Sequence, residues 1–213
     1  MTGRHLTVRC GLLGLAMALG GCVYSVESVI TESGATFDAR LLGAWEEVGG
    51  PDRAVVTGSA RNGYTIEYAS DDTVKRYEAR LGRLGDRLIL DVSVPPEGGR
   101  SKPSGEPPTA WHLAFALDVG EDEIRVAIIN GDSLAAAIRA GRVRLDAHTR
   151  SASCPQMCAA NALILSSTTE DLRAALGPYL ASAGALEVPD VFRRASGARK
   201  ATAPSRPADS STR

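Results

Sequence analysis

Apolar and polar side chains alternate with a period of two through most of the middle of the chain. Tyr64, Ile66 and Tyr68 interleave with Thr65, Glu67 and Ala69, and Lys75, Tyr77, Ala79 and Leu81 interleave with Arg76, Glu78 and Arg80. That spacing puts one face of a strand in a core and the other in water. Residues 41–48 and 54–60, and the run Leu88-Ile89-Leu90 flanked by Arg87 and Asp91, complete a set of five strands. Asn62-Gly63 marks a hairpin, because both residues tolerate positive φ. Gly85-Asp86 marks another turn. Short strands with tight turns predict an antiparallel meander.

Alternation resumes after a break. Trp111, Leu113, Phe115 and Leu117 face one way, with His112, Ala114, Ala116 and Asp118 facing the other; Ile124, Val126 and Ile128 form a further run. Asp132 is placed to cap a short helix over 134–140 that Gly141 stops. Residues 143–147 and 161–166 read as strands. Thr168 and Asp171 resemble an acidic capping box, opening a helix with Leu172, Leu176, Tyr179 and Leu180 on one stripe, which Pro178 shortens or kinks. Residues 188–193 form a last strand. The break itself, residues 94–109, holds 5 of the 11 prolines and is either a flap over a ligand mouth or a disordered insertion. Residues 194–213 lack core-forming side chains and read as a disordered tail. The pattern predicts a mainly β domain over 37–193: an antiparallel barrel or half-barrel of about 8–10 strands with two short helices.

The front of the chain is of another kind. Arg4, His5 and Arg9 precede an apolar run over 11–19, closed by Leu19, Gly20, Gly21 and Cys22. A basic head, a short apolar stretch and small residues before a cleavage point describe a secretory signal over 1–21. The stretch is about half the ~20 residues of a spanning helix. The Leu19-Gly20-Gly21-Cys22 ending resembles a bacterial lipobox, in which the cysteine is diacylated, palmitate being a typical chain, and becomes the first mature residue. The alternative is an ordinary secretory signal in which Cys22 is incidental. Val23 in place of an aspartate implies, by resemblance to Gram-negative lipoproteins, the periplasmic face of the outer membrane. Residues 22–36 read as a tether.

Loss of the signal takes away two arginines and no acid, so 22 basic face 25 acidic residues and the net charge moves from −1 to −3. Such a balance gives no electrostatic footprint for nucleic acid. Cys154 and Cys158 remain after the signal and the lipid site are set aside. In an oxidising envelope they are expected to close a small disulfide loop. The alternatives are a metal site, which His112 and His148 do not complete in spacing, and a redox pair, which more typically has two intervening residues.

Phe37-Asp38-Ala39-Arg40-Leu41-Leu42-Gly43-Ala44-Trp45 resembles the opening strand of lipocalin-like proteins. The ordered set of lipobox, Leu-x-Gly-x-Trp, Trp111-His112-Leu113, residues 132–140 and residues 167–172 resembles a group of bacterial lipoproteins with such a domain. The resemblance implies that Trp45 packs at the closed barrel end beneath an arginine of the last strand, Arg193 or Arg194. It implies no catalytic residue. The helix at Asp132 and the short last strand depart from the pattern and leave an open half-barrel as the alternative.

No phosphate loop or nucleophile elbow is present. His112, with Asp118 on the same sheet face, is the best lone acid–base candidate. No cofactor, metal ligand set or catalytic residue is expected. The expectation is a lipid-anchored, non-enzymatic envelope protein binding a small apolar ligand or a protein partner, with Trp45, Tyr64, Leu88, Trp111 and Phe115 lining the core or ligand space. A structural accessory without a ligand cavity is the alternative, and an envelope hydrolase a further one.

Overall fold

The computed structural model describes residues 22–70, 73–94, 110–151 and 161–196. The signal segment, most of the 94–109 loop, Cys154, Cys158 and nearly all of the tail lie outside the described residues. Eight strands close an antiparallel barrel: β2 (Gly43–Glu47), β3 (Arg53–Gly58), β4 (Gly63–Ser70), β5 (Thr73–Leu84), β6 (Arg87–Val94), β7 (Trp111–Val119), β8 (Glu123–Ile128) and β11 (Asp190–Arg194). Consecutive strands pair from β2 to β8, and β11 closes the ring between β8 and β2. The half-barrel alternative is excluded. Closure satisfies strand edges that would otherwise template aggregation.

Three more strands build outward from β7. Its C-terminal half pairs with β8, whereas its N-terminal half pairs with β1 (Val23–Ser25), through Tyr24 opposite Leu113 and Ser25 opposite His112. β10 (Asn161–Leu165) runs parallel to β1, and β9 (Ala147–Ser151) pairs with β10. β1 is where the tether expectation departs from the structure. Tyr24 is 1% and Ile30 0% exposed; the segment leaving Cys22 is packed into the domain because its apolar residues find a sheet edge and a core.

The alternating pattern divides two cores. Lumen-facing residues such as Trp45, Tyr64, Tyr77, Val92 and Leu113 form one. Ile89, Ala116 and Ala127, on the opposite face of the same strands, join Val29, Ile30, Leu134, Leu172 and Leu176 in the second. That outer core lies beneath α1 (Gly131–Arg139) and α2 (Thr169–Tyr179). Thr168 caps α2 as the sequence indicates, its hydroxyl accepting from the Asp171 amide at 3.2 Å. α1 is capped by Asn130, whose Oδ1 accepts from Ser133 N at 2.8 Å, and not by Asp132. Residues 143–146 are not strand. The β3–β4 hairpin also differs from expectation: positive φ falls on Arg61 and Asn62, while Gly63 opens β4. A Cβ on Gly63 would lie 2.5 Å from Ser59 Oγ and 3.1 Å from Ala60 O, so its role is clearance.

One end of the barrel is shut by a single clasp. The Arg194 guanidinium lies 4.3 Å from the Trp45 ring centroid. It donates to Leu42 O (2.9 Å), Arg40 O (3.0 Å) and Glu121 O (3.0 Å). Trp45 Nε1 donates to Leu41 O at 2.9 Å, tying the ring to the 3-10 turn Ala39–Leu41 that plugs this end. Gly43 makes the approach possible: its φ is +122°, and a Cβ there would lie 2.8 Å from Arg194 Nη1. Gly43→Ala is expected to lose about 1–3 kcal/mol in chemical denaturation. Gly49→Ala, at φ +86° with open space around it, bears only the backbone strain. Equal losses at the two sites would show that contact with Arg194 contributes nothing.

Candidate functional site

The lumen encloses a cavity of about 180 Å³. Its floor, at the clasped end, is Leu41, Trp45 and Tyr64; its walls include Tyr77, Leu90, Phe115, Leu117 and Phe192; Tyr68 and Asp190 stand toward the opposite rim. Tyr64 is fully buried, its hydroxyl accepting from Asp38 N at 2.6 Å and its ring stacked on Phe37 with centroids 5.2 Å apart. Burial raises its pKa. A polar tip satisfied at the floor leaves an apolar ring facing the void.

The rim differs. Tyr68 hydroxyl donates to the Asp52 carboxylate, joining β4 at the rim to the residue just before its neighbouring strand β3. Burial, then this bond, and then the charges of Asp52, Glu47 and Asp190 push the Tyr68 pKa far up. Burial, followed by the charge of Asp52, raises the Asp190 carboxyl; Glu47 is raised by burial first, against an opposing backbone hydrogen bond. The apolar chamber thus ends in a rim that carries polar and acidic groups.

Of the residues expected to line this space, Trp45, Tyr64 and Phe115 do so. Leu88 does not; one residue into β6 at the clasped end, it packs beside the lumen core below the void. Trp111 does not either. At the first position of β7 it meets Tyr24 edge-on, centroids 6.3 Å apart, where β1 extends the sheet past the barrel. Tyr68, Tyr77 and Phe192 were absent from the expected set. The alternation legible around Tyr68 and Tyr77 places them on the lumen face, but which inward residues border a void depends on strand stagger.

His112 lies on the outer wall. Its partner is Asp91, with Nδ1 to Oδ1 at 2.9 Å, and not Asp118, which pairs in register with Arg125. Asp91 sits on the neighbouring strand, in the middle of β6, and is 3% exposed. Its other oxygen accepts from Ser28 Oγ (2.6 Å), Val29 N (2.6 Å) and Ile30 N (3.0 Å). One carboxylate therefore latches the segment after β1 onto the barrel and orients the imidazole. A charged residue within a core-forming strand was its only sequence signal. A polar recess of about 550 Å³ beside the pair is bordered by Ser93, Glu78 and Arg80. Among the described residues, His112 makes no hydrogen bond to a hydroxyl, and no group of three or more metal-binding side chains is assembled.

Cys22 precedes β1 directly, and its carbonyl accepts from Leu163 N at 2.9 Å. Its sulfur is engaged in a disulfide; the expected Cys154–Cys158 pair lies outside the described residues. No helix among the described residues is long and apolar enough to cross a membrane. The barrel defines a closed eight-stranded antiparallel protein with a small apolar lumen. No protein-family model, curated protein or solved structure matches the chain.

Asp91→Ala is expected to lower stability by about 3 kcal/mol, since two buried amides lose their acceptor. Denaturant titration reads the loss, and amide exchange at Val29 and Ile30 locates it. Unchanged protection at those two amides would show that Asp91 does not hold the segment.

Proposed function

We propose that this is a lipid-anchored envelope protein whose barrel lumen binds a small apolar molecule. The carrying observation is the apolar cavity of about 180 Å³ above a clasped floor. Its size limits the occupant. Drug-sized ligands take ~300–1,000 Å³, whereas a cavity of ~150 Å³ lined by aliphatic and aromatic side chains accepts benzene. The ligand is therefore of the size of one ring or a short hydrocarbon segment. The lipocalin-like opening sequence supports the same reading, with Trp45 and Arg194 in the two expected places.

The anchor in this proposal is the thioether of Cys22, which places the protein in the envelope, on the periplasmic face of the outer membrane in a Gram-negative host. A thioether and a disulfide exclude one another at a single Sγ, so the anchored form is one in which lipid and not sulfur occupies Cys22. Cys22→Ala is expected to abolish labelling by a fatty-acid probe in the native host. Labelling that persists in the variant refutes the anchor.

The Asp91–His112 pair favours a second reading, hydrolysis with His112 as base. The same carboxylate, however, is consumed by the latch to Ser28, Val29 and Ile30, and this gives the pair a sufficient structural purpose. A structural accessory needing no cavity is the other alternative. Ala54→Leu separates it from ligand binding, because Ala54 borders the void and the larger side chain fills it. Ligand binding predicts that an apolar fluorescent probe of one-ring size binds the wild type and is lost in Ala54→Leu with the β-sheet spectrum intact. No binding by the wild type, or equal binding by both, removes the lumen from the function.

A further inference from the structure

The void in the lumen is charged at one place. Asp190, the first residue of β11, is the only charged residue that borders it among the described residues, and Phe192, two residues along the same face, borders it as well. The Asp190 carboxylate has no hydrogen bond and no basic partner among the described residues. Two further carboxylates stand beside it. β11 pairs with β2, and β2 with β3. Glu47 lies two residues after Trp45, and Asp52 two residues before Ala54, so alternation turns both to the inward face shared by those void-lining residues.

The three acids repel one another: after burial, the charge of Asp52 helps to raise the Asp190 carboxyl, and those of Asp52 and Asp190 help to raise Glu47. Basic side chains nearby do not relieve this. Arg53 pairs with Glu46 on the outer face at 3.6 Å. Lys75, opposite Tyr68 on β5, makes no ion pair with any of the three. Asp52 has only the neutral hydroxyl of Tyr68. Negative charge therefore collects where an apolar chamber meets water. A ligand with an anionic head would add a like charge, and a neutral one would leave the repulsion in place. An ammonium group removes it. Tyr68 and Phe192 add aromatic faces toward the same end, which attract a cation through their ring quadrupoles. Water at the rim lets the cation keep part of its hydration while its hydrocarbon enters the void.

We propose that the ligand of the lumen is a small apolar amine, its one-ring or short hydrocarbon body in the void and its primary ammonium held at the rim by Asp190, with Glu47 and Asp52 adding attraction. The inference rests on the lumen being the ligand site, as proposed above, and names the class of molecule that this site selects. Carboxylate-bearing molecules of the same size, such as short fatty acids, are excluded by the same charges.

The test titrates the full chain at neutral pH with benzylamine, which is protonated there, and with benzyl alcohol, its uncharged isostere, by ligand-detected NMR. Benzylamine is expected to bind about tenfold more tightly. Asp190→Asn is expected to bring the ratio of the two affinities close to one. Asp118→Asn, which removes the same charge from the exposed outer wall, is expected to keep the ratio, and Ala54→Leu to abolish binding of both probes. Benzyl alcohol bound by the wild type as tightly as benzylamine overturns the amine class and leaves the lumen standing as an apolar site. Silence from both probes removes lumen and amine together. A ratio unmoved by Asp190→Asn, or lowered equally by Asp118→Asn, overturns the proposal, as does benzylamine binding that survives Ala54→Leu, since surface charge and not the mouth of the void then holds the cation. The wild-type comparison decides the amine class even where a variant fails to fold.

Discussion

The fold depends on the guanidinium of Arg194. Barrel closure requires β11, at the far end of the chain, to enter between β2 and β8, and the entropy of joining segments so distant opposes it. Arg194 offsets that cost in one place. It covers the Trp45 ring and bonds carbonyls of Arg40, Leu42 and Glu121, which belong to the plug before β2 and the turn before β8. A planar fork with several donors can do this, whereas a lysine ammonium has neither the shape nor the stacking face. The glycine two residues before Trp45 is part of the same contact, since any side chain there would occupy the space that the guanidinium fills.

A second constraint acts on the opposite side of the wall. The outer faces of β6, β7 and β8 are apolar at Ile89, Ala116 and Ala127, and this forces a cover, supplied by the helices and by the segment around Val29 and Ile30. Small alanines let that cover approach the sheet closely. Asp91 interrupts this apolar surface, and its desolvation is tolerable because four donors converge on it. The polar pair with His112 is thus a consequence of docking the N-terminal segment, which makes the region next to Cys22 a rigid part of the domain.

The two ends of the lumen have different chemistry for a related reason. At the clasped end the polar tips that border the lumen, the hydroxyl of Tyr64 and the indole of Trp45, are tied to backbone. At the rim, Tyr68, Asp52, Glu47 and Asp190 face each other where strands end and water is near. A ligand space that is apolar within and polar at its edge follows from where the barrel is sealed. Its modest volume follows from the tyrosines and phenylalanines that fill the lumen.

The barrel strands, the hairpin order and the α2 cap were legible in the sequence, because each is written in local periodicity or in a short spacing; the arginine over Trp45 was implied only by the resemblance to lipocalin-like proteins. The lining by Trp45, Tyr64 and Phe115 was legible as well, through the face each residue takes. Other features were not. β1 is three residues long and has no alternation to read; it is a strand only because β7 and β10 offer edges on both sides. Alternation pointed His112 toward Asp118, on the same strand and face, whereas its partner is Asp91, on the strand beside it. Only the β6–β7 register brings Asp91 within 2.9 Å. Periodicity decides which way a side chain points, and so the sequence by itself determined a mainly β, barrel-forming domain. Ring closure and the size of the void arise from stagger and register between distant strands, which only the tertiary structure decided.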